Sequence, residues 1–372
     1  MVKEAKEQCL IVGNYCHDVL IKDDVVIAES LGGAASFISA VFDGLLISSN
    51  YISKVGPDFA YAFNHRPIIK PLSKTTVFHA HFTTEDKRQR QDRILKRVTA
   101  CDPVNPSDLP NSKFDYGMAV GVGGEILPET LERMIDICKV VFVDIQALIR
   151  VFDPVDGTVS LVHLNETGFW PLLKKIGFLK ASAEEAPYVD VEEARKWCCV
   201  VVTKGKEGCT VYMKDDELTV SPFVATQVDP TGAGDSFLGG LVAGLVHGLE
   251  IPDAALLGNF FGSLTVGHIG LPKFDSQLIQ RVKDEVLKRS LQHFGSHEKQ
   301  EDEPNRLKPL DHEEFLAALS AAKVVPANSI KECKWDLNSS PGALEQPVCN
   351  GHHRIPLNPV CEESINSVDS KP

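Results

Sequence analysis

Residues 229–237 have the sequence Asp-Pro-Thr-Gly-Ala-Gly-Asp-Ser-Phe, and an apolar segment typical of a helix continues to residue 249. Three small residues, Gly232, Ala233 and Gly234, therefore stand directly before Asp235 at a predicted helix N-terminus. Backbone N–H groups at a helix N-terminus lack partners and carry partial positive charge. Glycines let a bulky anion come close to those groups. The stretch predicts an anion-binding loop followed by a carboxylate.

The carboxylate of Asp235 adds chemistry to this loop. A carboxylate fixed beside an anion site can accept the proton of an attacking hydroxyl, while the amides stabilise the negative charge that develops. This combination suits phosphoryl transfer to an alcohol. The alternative is a glycine-rich turn into a helix, with Asp235 as an acid that favours the first turn.

Two common phosphate-binding motifs do not fit the sequence. Phe237 stands where a dinucleotide fingerprint needs its third glycine. A Walker loop needs a glycine five positions before its Gly-Lys pair, and Val200 occupies that place before Gly205 and Lys206. If the chain is a kinase, it holds phosphates with another architecture.

Composition sets the class of protein. The chain has 372 residues, 43% of them hydrophobic, which is enough for one large α/β domain or two small ones. A net charge of −13 argues against nucleic acid or an anionic membrane as the main partner. The ten cysteines lack metal-ligand spacing, and the charged N-terminus does not have the apolar core of a signal peptide. We expect a cytoplasmic protein with reduced thiols.

Short apolar runs alternate with helix-like segments along the first three quarters of the chain. This alternation predicts a mainly parallel sheet with helices on both faces, and such sheets bind ligands at the carboxyl ends of their strands. Residues 19–27 form a β-like stretch that residues 22–24 interrupt, and residues 75–84 alternate enough to predict a strand of a small exposed sheet. The main-sheet runs include residues 9–13, 116–122, 140–144 and 199–203.

The composition changes near residue 290, where the chain becomes polar and rich in Pro, Ser and Asn. We therefore expect residues 1–290 to form the folded domain. Residues 291–372 are expected to be mostly disordered, with one short helix at 311–323.

The loops named above occur in the same order as in one family. Over roughly residues 8–290 the chain resembles the ribokinase-like (PfkB) carbohydrate kinases, and the form of its 229–240 loop is most similar to that of the plant myo-inositol kinases. The resemblance implies a ribokinase-like α/β fold with a β lid from about residues 19–27 and 75–99. It also implies ATP-dependent phosphorylation of a myo-inositol hydroxyl, at the 3-position, by a monomer or homodimer.

The resemblance also implies roles for particular residues. Asp235 would be the catalytic base, with Gly232, Ala233 and Gly234 as the anion hole. The polyol substrate would be bound by Asp18, Gly32, Gly33 and Glu125. The nucleotide would be bound by Thr203, Gly205, Asn259 and Gly270. Glu185 would hold Mg²⁺ through water and phosphate, and Asp229 and Thr231 would form a K⁺ site.

Three positions depart from the family pattern. Cys16 stands where a polar substrate contact is common, and Phe37 stands where many members have Asn. These two weaken an assignment to ribose or fructose. Ser182 replaces the Asn of the motif that organises Mg²⁺, so Mg²⁺ placement would depend on Glu185 and water.

The resemblance leaves other functions open. The chain could be a kinase for another sugar or a nucleoside, such as fructose, ribose or adenosine. It could also be a non-catalytic scaffold, or a sensor that binds inositol without turnover. The intact Asp235 and its anion loop argue against a scaffold, which has no chemical need for them.

Overall fold

The computed structural model describes residues 8–82, 94–296 and 311–323, and the statements that follow concern those residues. Most of the segment predicted to be disordered, 291–372, lies outside them. The strands are β1 (Cys9–Val12), β2 (Cys16–Lys22), β3 (Val25–Gly32), β4 (Ser49–Ile52), β5 (Lys54–Val55), β6 (Ile68–Ile69), β7 (Thr76–Phe82), β8 (Ile94–Thr99), β9 (Phe114–Ala119), β10 (Cys138–Asp144), β11 (Arg150–Phe152), β12 (Val159–Leu161), β13 (Phe178–Ser182), β14 (Cys199–Thr203), β15 (Cys209–Tyr212) and β16 (Glu217–Val220). The helices are α1 (Ala34–Leu45), α2 (Pro128–Ile137), α3 (Gln146–Ile149), α4 (Val191–Ala194), α5 (Ala233–Val246), α6 (Ile251–Thr265), α7 (Ser276–Ser296) and α8 (His312–Lys323).

Eight strands form the central sheet, in the order β16-β15-β14-β13-β10-β9-β1-β4. The six strands from β4 to β14 are parallel, and β15 and β16 add antiparallel hairpins at one edge. This confirms the mainly parallel sheet expected from the sequence. The carboxyl ends of β1, β9, β10, β13 and β14 meet along one edge, where ligands bind in sheets of this kind.

Helices cover both faces of this sheet, which explains why its strands are apolar without alternation. In β1, Cys9 and Ile11 face one apolar cluster, while Leu10 and Val12 face another. The first cluster contains the buried faces of α1, α5 and α6. The second contains the buried face of α2. The two clusters pack on opposite faces of the sheet and so hold the carboxyl ends of its strands in place.

A separate four-stranded sheet has the order β3-β2-β7-β8. The β-like stretch predicted over residues 19–27, with its interruption at residues 22–24, is a hairpin between β2 and β3. Its turn is made by Asp23 and Asp24, both with positive φ (48° and 62°). Asp tolerates this left-handed conformation better than most residues, so the polar pair reverses the chain. Residues 83–93 of the predicted lid lie outside the described residues.

Two helices follow residue 275. Helix α7 runs through residue 290, so the domain boundary predicted there falls inside a helix. Helix α8 buries His312, Phe315, Leu319 and Ala322. Phe315, Leu319 and Ala322 belong to the apolar cluster that also contains the buried faces of α5 and α6. Among the helices described here, none is long and apolar enough to cross a membrane.

We expect Phe142→Ala to lower the free energy of unfolding by about 3–5 kcal/mol, the usual cost of removing a buried aromatic side chain. Phe142 lies in the central strand β10, is fully buried and stacks on Phe178 with ring centroids 4.5 Å apart. Urea unfolding measures the change. The control, Leu72→Ala, truncates a fully exposed side chain and should stay within about 0.5 kcal/mol of wild type. Equal effects of the two variants would contradict this view of the core.

Candidate active site

A cleft lies between the four-stranded sheet and the carboxyl edge of the central sheet. Its empty space is about 540 Å³, including the part open to solvent. One wall comes from β2, β7 and β8, and the opposite wall from the start of α1, the loops after β9 and β10, and the start of α5. The lining residues are Asp18, Leu20, Gly33, Ala34, Phe37, Phe78, Ala80, Leu95, Val122, Gln146, Arg150, Thr231, Gly232 and Asp235.

The glycine loop enters helix α5 through Gly232, which has φ 77° and ψ −5°. Only glycine adopts this left-handed conformation without strain. A Cβ at this position would also lie 2.1 Å from the Phe37 ring. Phe37 thus replaces a polar family residue with an aromatic wall against which the loop packs. The amides of Ala233 and Gly234 follow at the helix N-terminus, where N–H groups lack helical partners.

Asp235 stands in the first turn of α5 and lines the cleft. Its Oδ1 accepts a hydrogen bond from Gln146 Nε2 at 3.1 Å. Burial raises the pKa of Asp235, although the charges of Lys180 and Arg150 and the Gln146 hydrogen bond oppose the rise. A carboxylate with raised proton affinity beside an anion loop is equipped to act as a general base.

Lys180, on β13, lies beneath the glycine loop and is 5% exposed. Its Nζ donates to Asp144 Oδ2 at 3.0 Å, and a Cβ on Gly234 would lie 2.8 Å from that Nζ. Burial disfavours the ammonium, but the carboxylates of Asp144, Glu185 and Asp235 outweigh it and raise the pKa of Lys180. The site therefore has a permanent cation where a transferring phosphoryl group would need one.

Asp144, at the end of β10, is fully buried. Burial raises its pKa to about 6, against the opposing charge of Lys180. Sequence reasoning missed Asp144, Gln146, Arg150 and Lys180. Asp144 ends an apolar strand at the sheet edge where ligands bind, and that position was an available signal. No comparable signal marks Lys180, which sits inside a strand.

Glu185 belongs to the same charge cluster. Its Oε2 accepts the backbone N–H of Ser182 at 2.8 Å, and Ser182 Oγ in turn accepts the N–H of Glu185 at 3.2 Å. Burial acts against its charge, but Lys180 and Arg150 prevail and lower the pKa of Glu185. Within the described residues no group of three or more His, Cys, Asp or Glu side chains is placed to hold a metal ion. An ionised Glu185 fits Mg²⁺ held mainly by substrate phosphates and water.

The predicted substrate residues Asp18, Gly32 and Gly33 come together where β2, β3 and α1 meet. A Cβ on Gly32 would lie 2.0 Å from an Asp18 carboxylate oxygen, so glycine leaves room for that carboxylate. Gly33 has φ 87°, and a Cβ there would lie 2.5 Å from the Asn14 carbonyl oxygen. Asp18 and Gly33 line the cleft, in the same cavity as Asp235.

Glu125 occupies a different place. It is 3% exposed, and the described residues that line the cleft do not include it. Its carboxylate accepts the N–H groups of Asn14 (2.8 Å), Val122 (3.2 Å) and Gly123 (2.7 Å). Glu125 therefore ties the loop after β1 to the loop after β9. Direct contact with substrate stays a prediction.

Cys16, the other departure from the family pattern, is fully buried. Burial raises the pKa of its thiol well above the usual range, so the thiol is neutral. The Sγ lies 3.6 Å from the Asn14 carbonyl oxygen. Cys16 thus contacts the loop between β1 and β2, and β2 carries Asp18.

Two of the predicted nucleotide residues, Thr203 and Gly205, lie at the end of β14 and directly after it. Thr203 ends β14, where it pairs with Ser182, and its Oγ1 donates to the Ala181 carbonyl at 3.4 Å. Gly205 has φ 55° and faces open space. Asn259, on α6, donates through Nδ2 to the carbonyl oxygens of Val220 (3.2 Å) and Ser221 (2.9 Å).

Gly270 lies apart from the other predicted nucleotide residues. It has φ 70°, and a Cβ there would lie 2.8 Å from the Cβ of Ser30 on β3. The structure therefore places Gly270 against the small sheet. Contact of all four predicted residues with nucleotide remains a prediction.

Asp229, in the predicted K⁺ loop, is 3% exposed. Its Oδ1 accepts the Thr231 N–H at 2.9 Å, while its buried Oδ2 lacks a hydrogen-bond partner among the described groups. A buried carboxylate oxygen without a donor is a suitable ligand for a cation. The residues fit the K⁺ site that the family resemblance implies.

Comparison with known proteins first defines the class. The pyrophosphate-dependent ribokinase-family kinase solved as a sulfate complex matches with a TM-score of 0.60 and 18% identity, over 72% of this chain and 98% of that chain. This likeness shows the ribokinase-like fold that the sequence predicts.

The relatives then define the family. The model for the pfkB family of carbohydrate kinases matches residues 173–275. The inositol 3-kinase of Arabidopsis thaliana is 61% identical over 317 residues, which cover 84% of this chain and 87% of that protein. The inositol 3-kinase of Oryza sativa subsp. japonica is 52% identical over 300 residues, covering 77% and 76%. The chain therefore belongs to the pfkB family of carbohydrate kinases, as its glycine loop predicts.

We expect Lys180→Met to move the acid limb of the kcat/KM profile to higher pH. Lys180 lowers the proton affinity of Asp235, so removing its charge raises the pKa of that carboxyl further. A base must be ionised to act, and activity is then lost at a higher pH as the solution is acidified. The double variant Lys180→Met/Asp144→Asn avoids leaving Asp144 buried without its partner. The exposed Lys175→Met is the control, and an unmoved limb would refute the assignment.

Gly232→Ala should lower kcat/KM by about 10²-fold or more, because it displaces the amides of the anion loop, and an oxyanion-type donor that is out of place is lost to catalysis. The new Cβ meets the Phe37 ring, and the backbone must leave its left-handed conformation. Adding Phe37→Ala removes the clash but not the strain, so the double variant should recover only part of the activity. Full recovery would show that the close contact with the Phe37 ring is the sole reason why position 232 needs glycine.

Proposed function

We propose that this chain transfers the γ-phosphoryl group of ATP to myo-inositol and releases ADP and inositol 3-phosphate. The observation that carries the proposal is Asp235, ionisable and aimed into a cleft at the N-terminus of α5, beside the Gly232 loop. The identity of 61% with an inositol 3-kinase supports the choice of acceptor.

The acceptor would bind through hydrogen bonds to its hydroxyl groups. Asp18 accepts from hydroxyls on the side of the small sheet, while Gln146 and Arg150 donate from the opposite wall. These contacts hold one hydroxyl at Asp235. Its O–H bond breaks as Asp235 accepts the proton, and its oxygen bonds to the γ-phosphorus. The bond between that phosphorus and the β–γ bridging oxygen breaks, and ADP leaves with the electron pair.

The protein would stabilise the transferring group with fixed positive charge. The backbone amide of Gly234 at the N-terminus of α5 and the nearby ammonium of Lys180 would supply this charge. The N–H of Ala233 would be shared with the Pro230 carbonyl oxygen, which accepts it at 3.3 Å. These groups need no reorganisation when charge develops, because the sheet and helix already hold them in place.

Two cations belong to the proposal. Glu185 would hold Mg²⁺ through water, and Mg²⁺ neutralises phosphate charge when bound. Asp229 and Thr231 would hold K⁺ next to the glycine loop. In the absence of K⁺, the buried Oδ2 of Asp229 would have neither a cation nor a hydrogen-bond donor to interact with, and the loop would be less ordered.

The small sheet would exclude water, which competes with the acceptor for the phosphoryl group. Leu20, Phe78 and Leu95 turn apolar side chains towards the cleft from β2, β7 and β8. An apolar cover also penalises any hydroxyl that points towards it without a partner. A cytoplasmic location and a monomeric or homodimeric state complete the proposal.

The test is ADP formation by the purified protein with ATP and Mg²⁺, with and without K⁺. The acceptors are myo-inositol, ribose, fructose and adenosine, and pyrophosphate replaces ATP in a parallel series. We expect turnover with myo-inositol and ATP. The 1- and 3-phosphates of myo-inositol are mirror images, so the product must be identified by a chiral separation. Turnover with another acceptor alone would overturn the substrate, and binding without turnover would favour a sensor or scaffold.

Asp235→Asn should reduce kcat by about 10²–10⁴-fold, the usual effect of losing a general base. The amide keeps the size of the side chain and removes its ability to take a proton. The affinity for myo-inositol should change little. Near-normal turnover in this variant would show that the mechanism is wrong.

A further inference from the structure

One face of helix α8 packs against the kinase domain. His312, Phe315, Leu319 and Ala322 are at most 5% exposed, and their spacing of three and four residues places them on one side of the helix. Phe315 and Leu319 belong to the apolar cluster that includes the buried residues of α5 and α6. The C-terminal segment thus contributes to the core beside the active site.

The N-terminal end of α8 is fixed by a buried charge network. His312 Nδ1 donates to Asp253 Oδ1 at 2.5 Å, and Arg289 Nε donates to Asp253 Oδ2 at 2.7 Å. Asp253 stands in the first turn of α6 and is fully buried. Burial opposes its charge, but His312 and Arg289 lower the pKa of Asp253. The network joins α6, α7 and α8.

The C-terminal end of α8 reaches a loop of the active site. Lys323 Nζ donates to the Val224 carbonyl oxygen at 2.7 Å and to Ser263 Oγ at 2.8 Å. Arg281, from α7, donates to the Ala322 carbonyl at 3.2 Å and so holds the last turn. Val224 lies in the loop of residues 221–232, which connects β16 to α5.

This loop carries the predicted cation and anion sites at its far end. Asn259 holds its start through Ser221, and the Val266 carbonyl accepts the N–H groups of Val228 (2.7 Å) and Asp229 (3.2 Å). Between these points Phe223 is buried and its ring packs edge-on against Phe260, with ring centroids 5.3 Å apart. The next side chain, Val224, is 96% exposed, and the hydrogen bond from Lys323 holds its carbonyl oxygen where the loop leaves the core.

We propose that Lys323 is a positioning residue for nucleotide binding. Helix α8 brings its ammonium to the 221–232 loop and sets the path along which Asp229, Thr231 and Gly232 reach the phosphates and K⁺. The inference rests on the proposed function, since it takes this loop to bind ATP. It assigns a role in nucleotide binding to a helix outside the region matched by the family model, which ends at residue 275.

The experiment compares wild type with Lys323→Met, which keeps the length of the side chain and removes its donors. Binding of adenylyl imidodiphosphate with Mg²⁺, measured by equilibrium titration, should weaken about tenfold, because the variant loses both hydrogen bonds that hold the loop in its binding conformation. KM for ATP should rise in parallel, and the K⁺ concentration for half-activation should also rise. KM for myo-inositol should change less than about twofold, because its contacts lie across the cleft. Lys288→Met, an exposed lysine of α7, is the matched control.

Ser263→Ala provides the second variant, since it removes one acceptor of Lys323 and leaves the helix intact. It should weaken nucleotide binding modestly, and it should add no further loss to Lys323→Met. Additive losses would contradict the inference. Unchanged nucleotide affinity in Lys323→Met, or equal losses for nucleotide and inositol together with a lower unfolding midpoint, would overturn it.

The titration does not depend on the acceptor. If wild type fails to phosphorylate myo-inositol but Lys323→Met still binds nucleotide less tightly, the proposed substrate is wrong and the role of Lys323 stands.

Discussion

The active site depends on one buried cation surrounded by carboxylates. Lys180 faces Asp144, Glu185 and Asp235, and each of these carboxylates raises its pKa. In return, Lys180 lowers the proton affinity of all three. Without this charge, burial would favour the neutral form of Asp235 and remove its ability to take a proton. The cluster thus limits the rise in the pKa of Asp235 that burial in a sheltered site causes.

The fold brings these charges together by aligning strand ends. Asp144 ends β10, Lys180 lies near the end of β13, and Glu185 follows that strand. Asp235 comes from a different element, the first turn of α5, directly after the glycine loop, and it lines the cleft. Apolar clusters on both faces of the sheet keep the strands in register. The geometry of the site therefore depends on a core that lies outside it.

Local chemistry made much of this predictable. The glycine loop before Asp235 and the strand alternation follow from sequence, because each depends on neighbouring residues. The roles of Asp18 and Gly33 came from the family resemblance, and the structure places both in the same cleft as Asp235. The pair Asp144–Lys180 could not be predicted from the sequence, because its members are 36 residues apart and meet only through β-sheet register. The interruption at residues 22–24 was visible in the sequence, but the reversal of the chain there into a hairpin was not. Glu125 was predicted to bind the substrate, whereas the three backbone hydrogen bonds that it accepts depend on tertiary structure and could not be predicted.

The central claim is that Asp235 takes a proton from a hydroxyl held against the glycine loop. A crystal structure with ADP, Mg²⁺, aluminium fluoride and myo-inositol tests it most directly. The account predicts one inositol oxygen, that of the 3-hydroxyl, at roughly 2.6–3.2 Å from the Asp235 carboxylate and in line with the aluminium fluoride. An acceptor oxygen positioned by another group, with Asp235 outside hydrogen-bonding distance, would contradict it.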